Sequence, residues 1–124
     1  MQVSKKGVNK KVESKIFRSL YQVLSDMRNP REVEKFLIDV LSDTERTVLA
    51  KRLGIVYYLN KSKSYEVIRQ DLKVSSATIA SVQKWMEVGG EGLNLALKAI
   101  EADEWANEMS DKISEGVRNI FKKK

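Results

Sequence analysis

The segment SYEVIRQDLKVSSATIASVQKWM, from Ser64 to Met86, constrains this chain more than any other stretch. Its apolar residues Ile68, Leu72, Val74, Ile79 and Val82 are spaced so that two short helices, crossing steeply about a three- to four-residue turn, point all five at one small shared core. This is the pattern of a helix-turn-helix. On its second helix, from Ser76 to about Met86, the positions left facing outward are Ser76, Ala77, Ala80, Ser81 and Lys84, with Thr78 and Gln83 at the edges. Those side chains are short hydroxyls and methyls, except for one terminal lysine. A major groove about 12 Å wide admits a helix only if its face is not bulky, and hydroxyls, amides and a lysine can then meet base edges and phosphates. The same two-helix pattern also serves as plain scaffold in all-α domains, so an interaction module that retains it as framework stands as the alternative.

Local signals support the two helices. Ser64 is placed to cap the first, Glu66 in its first turn suits the helix dipole, and Ser75 or Ser76 is placed to cap the second. Lys73 stands in the turn where such motifs usually carry glycine, and a positive φ there costs a non-glycine residue about 1 kcal/mol.

The rest of the chain reads as helix throughout. A single proline, few glycines and long 3.6-residue periodicities predict an all-α protein, and 124 residues at 42% apolar content suffice for one small domain. Residues 1–11 lack apolar periodicity, carry four lysines and are predicted to be a basic disordered arm. Val12, Ile16, Leu20, Val23, Leu24 and Met27, flanked by Phe17 and Tyr21, mark a first amphipathic helix. Asn29-Pro30 ends it and starts a second, whose stripe is Val33, Phe36, Leu37, Val40 and Leu41. Ser42-Asp43-Thr44-Glu45 has capping-box spacing and opens a third, with an expected face through Val48, Leu49, Leu53, Val56 and Leu59. Only one of Tyr57 and Tyr58 is expected to face the core. Gly89-Gly90 and Gly92 are expected to close the fifth helix.

A tail follows in which Leu93, Leu97 and Ile100, then Trp105, Met109, Ile113, Val117 and Phe121, continue a narrow stripe, as one helix or two. Its surroundings are strongly charged, as for packing against a partner helix. A membrane-surface helix ending in IFKKK is the rival reading, opposed by Glu101, Asp103, Glu104, Glu108 and Asp111, which would repel anionic lipid. Trp85 and Trp105 read as packing residues rather than platforms for stacked bases. The expected organisation is an arm over 1–11, a helical DNA-binding domain over 12–100 and a C-terminal amphipathic helix over 101–124.

Composition narrows the chemistry. The chain has no Cys and no His, which removes thiolate nucleophiles, disulfides, zinc-thiolate sites, the commonest general base and the commonest metal ligand. No catalytic constellation stands out, so no enzyme activity and no cofactor or metal is expected. No apolar run approaches the length of a membrane span and no apolar stretch follows the charged N-terminus, so the expectation is a soluble cytoplasmic protein with no membrane partner. The net charge of +6 is unevenly spread. Residues 46–84 hold eight basic and two acidic residues, whereas residues 85–115 hold two basic and eight acidic. Basic charge therefore gathers around the two-helix unit, where Lys61, Lys63, Arg69, Lys73 and Lys84 are the candidate phosphate contacts. Ser76, Ala77, Ala80 and Ser81, with Thr78 beside them, are the candidate base-facing residues.

The stretch LSDTERTVLAKRLGIVYYLNKSKSYEVIRQDLKVSSATIASVQKWMEVGGEGLNLAL resembles the Trp repressor superfamily and, within it, the YerC/YecD-type bacterial proteins. The resemblance spans about residues 16 to 100. It rests on the helix with TERTVLAKRL, the Lys/Ser-rich break, the SSATIASV core and the glycine pair before EGLNLAL. It implies an intertwined all-α homodimer that binds double-stranded DNA as a sequence-specific transcription regulator. In the Trp repressor, tryptophan lies between two arginines against the recognition helix. Arg52 matches the first, whereas Ser81 takes the place of the second and Val82 stands where the repressor has glycine. The YerC/YecD-type pattern also usually carries arginine at the Ser81 position. The missing guanidinium and valine's extra carbons imply that tryptophan is not the effector, which leaves any small-molecule effector unassigned.

Overall fold

The computed structural model describes residues 7–122, with side chains as far as residue 119. Among these residues there are six helices and no strand: α1 (Lys10–Asp26), α2 (Pro30–Val40), α3 (Asp43–Asn60), α4 (Tyr65–Leu72), α5 (Ser76–Glu87) and α6 (Glu91–Lys122). None is long and apolar enough to cross a membrane. The chain forms two compact units that divide after Arg46, within α3.

In the first unit the helix starts follow from side-chain caps. Asn9 Oδ1 accepts from the Lys11 N–H at 2.9 Å, so α1 begins at Lys10, inside the stretch expected to be a disordered arm. The cap satisfies a first-turn donor and corrects that boundary by two residues. Residues 7–9 are exposed and non-helical, and the rest of the arm lies outside the described residues. Asn29 Oδ1 accepts from the Glu32 N–H at 3.0 Å while Glu32 reaches back to the Arg28 N–H at 2.8 Å, with Pro30 in the first helical turn. The capping box of α3 forms as its spacing predicts: the Glu45 N–H donates to Ser42 Oγ at 3.1 Å, and the Ser42 N–H donates to Glu45 Oε1 at 2.8 Å. No residue of α1 or α2 is buried, and Ile16, Phe17, Leu20 and Tyr21 are all exposed.

The second unit carries the core. Ile55, Val56, Ile68, Ile79 and Val82 are fully buried and Leu97 nearly so, with Tyr58, Leu59, Tyr65, Leu72, Val74, Met86 and Leu93 packed around them. Burying a side chain of this kind contributes about 1.5–3 kcal/mol, so this cluster is what holds α3 to α6 together. α5 packs on both α4 and α6. Gly54 lies against Leu72: a Cβ there would stand 3.2 Å from Leu72 Cδ1, so that side chain would have to give slightly.

Two expectations about this unit are corrected. On α3, the predicted face contributes Val56 and Leu59, but Val48, Leu49 and Leu53 are exposed and Ile55, not expected, is fully buried. Residues 55–59 are apolar or aromatic without a break, so periodicity cannot pick the inward side. Gly92 lies within α6 rather than closing α5; Gly89 and Gly90 make that turn alone, both at positive φ. At Gly90 a Cβ would come within 3.1 Å of the Met86 and Trp85 backbone. The tail, for which one helix or two were possible, is a single helix.

Candidate nucleic-acid interface

α4, its turn and α5 form a helix-turn-helix built from the bottom by caps and core. The Val67 N–H donates to Ser64 Oγ at 3.2 Å and starts α4. α4 ends at Lys73, which adopts the left-handed conformation at φ 55°, ψ 55°, its N–H bonded to the Arg69 carbonyl. Lys51 Nζ donates to the Lys73 carbonyl at 3.1 Å, tying the turn to α3. Of the two serines that could cap α5, Ser75 does so: its Oγ accepts from the Thr78 N–H at 3.1 Å and lies 2.9 Å from Thr78 Oγ1.

The five core residues expected from spacing do converge. Ile68, Ile79 and Val82 are fully buried, and Leu72 and Val74 are packed against them. With Ile79 and Val82 fixing the inward side of α5, Ser76, Ala77, Ala80, Ser81 and Lys84 stand exposed on the outward side, with Thr78 exposed at its edge. Two contacts set the rotation of α5 about its axis. The Tyr65 hydroxyl donates to Gln83 Oε1, and the Arg52 guanidinium lies over the Trp85 ring, 5.5 Å from its centroid. A cation over an indole is worth about 0.5–1 kcal/mol when exposed. Trp85 is about half exposed, so it is covered by Arg52 rather than enclosed in the core; Trp105 is more exposed still.

The candidate phosphate contacts separate into two groups. Lys63, Arg69, Lys73 and Lys84 are exposed, on or beside α4, the turn and α5. Lys61 instead lies 3.6 Å from Glu104 Oε2 on α6 and over the Tyr57 ring at 5.7 Å. Glu104 also accepts from the Tyr57 hydroxyl. That bond to a carboxylate raises the Tyr57 pKa, as the bond to Asp71 raises that of Tyr58. Both tyrosines are therefore half-buried fasteners: Tyr58 joins α3 to α4 and packs on the core, while Tyr57 joins α3 to α6. Sequence spacing did not reveal Lys51, the Arg52–Trp85 pair or the Tyr57–Glu104–Lys61 cluster, because each joins residues from different helices.

The profile of the Trp repressor protein family matches residues 15–101. The uncharacterized protein YerC of Bacillus subtilis is 24% identical over 94 residues, which cover 76% of this chain and 90% of YerC. The crystal structure of a "putative Trp repressor" from Staphylococcus aureus superposes with a TM-score of 0.68 at 21% identity, covering 77% of this chain and 96% of that one. The two relatives agree with the family match, which spans well over half of the sequence and takes in α2 to α5 whole, the capping box and the helix-turn-helix included. By that match the chain belongs to the Trp repressor family.

Proposed function

We propose that the protein is a sequence-specific, non-enzymatic DNA-binding transcription regulator that acts as a homodimer and inserts α5 into the major groove. The observation that carries this reading is the face of α5. Its inward side is locked by Ile79 and Val82, while Ser76, Ala77, Ala80 and Ser81 are exposed and short enough for close approach to base edges. Lys63, Arg69, Lys73 and Lys84 flank that face and would neutralise phosphates on either side. Lys61 would join them only by leaving Glu104, and an exposed ion pair of this kind is worth no more than about 1 kcal/mol.

Support for a homodimer comes from the first unit. Its two whole helices bury nothing, yet they expose Ile16, Phe17, Leu20, Tyr21, Val23, Leu24, Ile38 and Val40. Apolar surface of that extent marks an interface. A second copy would cover it and would give DNA two related half-sites. Tryptophan is not the effector in this reading. Ser81 supplies no guanidinium, Val82 occupies core space, and Arg52 already covers the indole of the chain's own Trp85.

The test is a salt titration of binding to duplex DNA, read by fluorescence anisotropy. Four phosphate contacts on each protomer predict a slope of log K against log salt of about −7 for a dimer, and replacing Arg69 with alanine should reduce it by about 2. Sedimentation equilibrium at low micromolar concentration should return twice the chain mass. Affinity that ignores salt, or no binding at all, would leave the helix-turn-helix as scaffold for a protein interaction.

A further inference from the structure

The family match ends at residue 101, but α6 runs on to Lys122. This extension has an apolar side that the described residues of the second unit leave open: Trp105 is 65% exposed, Met109 39%, Ile113 62% and Val117 47%. An isolated helix of this length is marginal in water, and helices in proteins draw most of their stability from packing one face. That side is therefore a candidate for cover by a surface of complementary shape.

The spacing of the extension specifies the kind of cover. Ala102, Ala106, Met109, Ile113 and Gly116 recur at alternating steps of four and three residues, the seam of a two-helix coiled coil, with Trp105 and Val117 on its flanks. Charge then selects the direction. Residues 101–110 carry Glu101, Asp103, Glu104 and Glu108 and no basic residue, whereas residues 112–119 carry Lys112 and Arg118 against Glu115. Glu104 is already held by Lys61, so two copies side by side in the same direction would set Glu101, Asp103 and Glu108 of one against the same three of the other. In opposite directions, the acidic half of each meets the mildly basic half of the other.

We propose that the part of α6 beyond residue 101 pairs antiparallel with the same segment of a second copy, about an axis at residue 111. In that register Met109 of one copy lies opposite Ile113 of the other, and Ala106 opposite Gly116. Both kinds of layer are complementary in size, and the second lets the backbones approach closely where the flanking Trp105 and Val117 need room. The pairing adds to the dimer proposed above but does not rest on it, since it uses residues outside the family match.

The chain has no cysteine, so single introduced thiols report on this register without background. Ser110→Cys lies on the flank of the seam beside the axis and faces its own copy. Asp103→Cys lies on the same flank eight residues from the axis, which places the two copies about 24 Å apart along the helices at 1.5 Å per residue. Both positions are exposed, so neither change disturbs the core. A short bismaleimide should convert most of the full-length Ser110→Cys protein to a covalent dimer and leave Asp103→Cys uncoupled. The double variant Asp103→Cys, Val117→Cys should couple, because these positions face one another across the axis. Equal coupling at 103 and 110 would overturn the proposal in favour of parallel helices. No coupling at 110 in a chain that sediments as a dimer would overturn it while leaving the proposed dimer standing, and no coupling in a monomer would remove both.

Discussion

Lys73 separates what the turn costs the fold from what it offers to DNA. It sits in the left-handed region at φ 55°, ψ 55°, where a side chain with a Cβ costs about 1–2 kcal/mol. Glycine would remove that strain but adds unfolded-state freedom worth about 0.4–1 kcal/mol. Lys73→Gly should therefore stabilise the protein by about 0.5–1 kcal/mol, a rise of a few degrees in Tm for a chain of this size. The Lys51 bond to the Lys73 carbonyl survives the change because it uses only the backbone of Lys73. Lys73→Ala is the control: it keeps the strained φ, so stability should stay within about 0.5 kcal/mol of the parent. Both variants lose the same cation, so both should bind duplex DNA more weakly, with a salt slope reduced by about 1 per protomer. Urea denaturation gives the first quantity and an anisotropy salt titration the second. A Lys73→Gly protein no more stable than Lys73→Ala would refute the strain argument, and unchanged salt slopes would remove Lys73 from the phosphate contacts.

Three further outcomes are expected. Ile79→Ala empties part of the fully buried cluster shared by α3 to α6 and should destabilise by about 2–5 kcal/mol in urea; a loss under about 1 kcal/mol would show that this core does not hold the unit together. The Glu45 carboxyl is held below its ordinary pKa, foremost by the Ser42 backbone N–H and then by the Ser42 hydroxyl. A lowered carboxyl contributes stability above its unfolded pKa of about 4.3 and loses it as pH falls through the folded value. The parent should accordingly lose more stability between about pH 5 and pH 3 than Glu45→Gln does, and identical pH profiles would contradict the capping assignment. Calorimetric titration with L-tryptophan should give no saturable heat, and DNA affinity should be the same with and without it. Saturable binding tighter than about 100 µM, beyond roughly 5 kcal/mol, would mean that another residue replaces the missing arginine.

Much of the helix pattern and of the second unit's core was legible in the sequence because the rules behind them are local. Ile68, Leu72, Val74, Ile79 and Val82 lie close together along the chain, and caps such as Ser64, Asn29 and the Ser42–Glu45 box act over three or four residues. The outward face of α5 followed by subtraction once Ile79 and Val82 were inside. Where the signal was not local, the reading failed. On α3, Val56 and Leu59 were legible but Ile55 was not, because residues 55–59 offer apolar surface in every direction and only tertiary packing selects among them. The pairing of Lys61 with Glu104 spans most of the second unit, and no spacing rule connects them. Asn9, a short polar residue amid lysines, gave little sign that it would start α1 at Lys10. The unbroken run of α6 follows from the lack of a strong breaker between Glu91 and Lys122; Gly92 in its first turn and Gly116 in its interior, the latter at a cost of about 1 kcal/mol, are not enough to stop it.

Replacing Ala77 or Ser81 with glutamate shows whether α5 enters the major groove, as proposed. Both residues are exposed on the face opposite Ile79 and Val82, so circular dichroism should show the helices intact. A carboxylate there would oppose phosphates and base acceptors. Anisotropy with a duplex selected from a random pool should then show affinity reduced at least tenfold, worth about 1.4 kcal/mol, for each variant. Unchanged affinity in a folded Ala77→Glu or Ser81→Glu protein would place α5 outside the groove, because a helix inserted there does not tolerate a new negative charge at its outward positions.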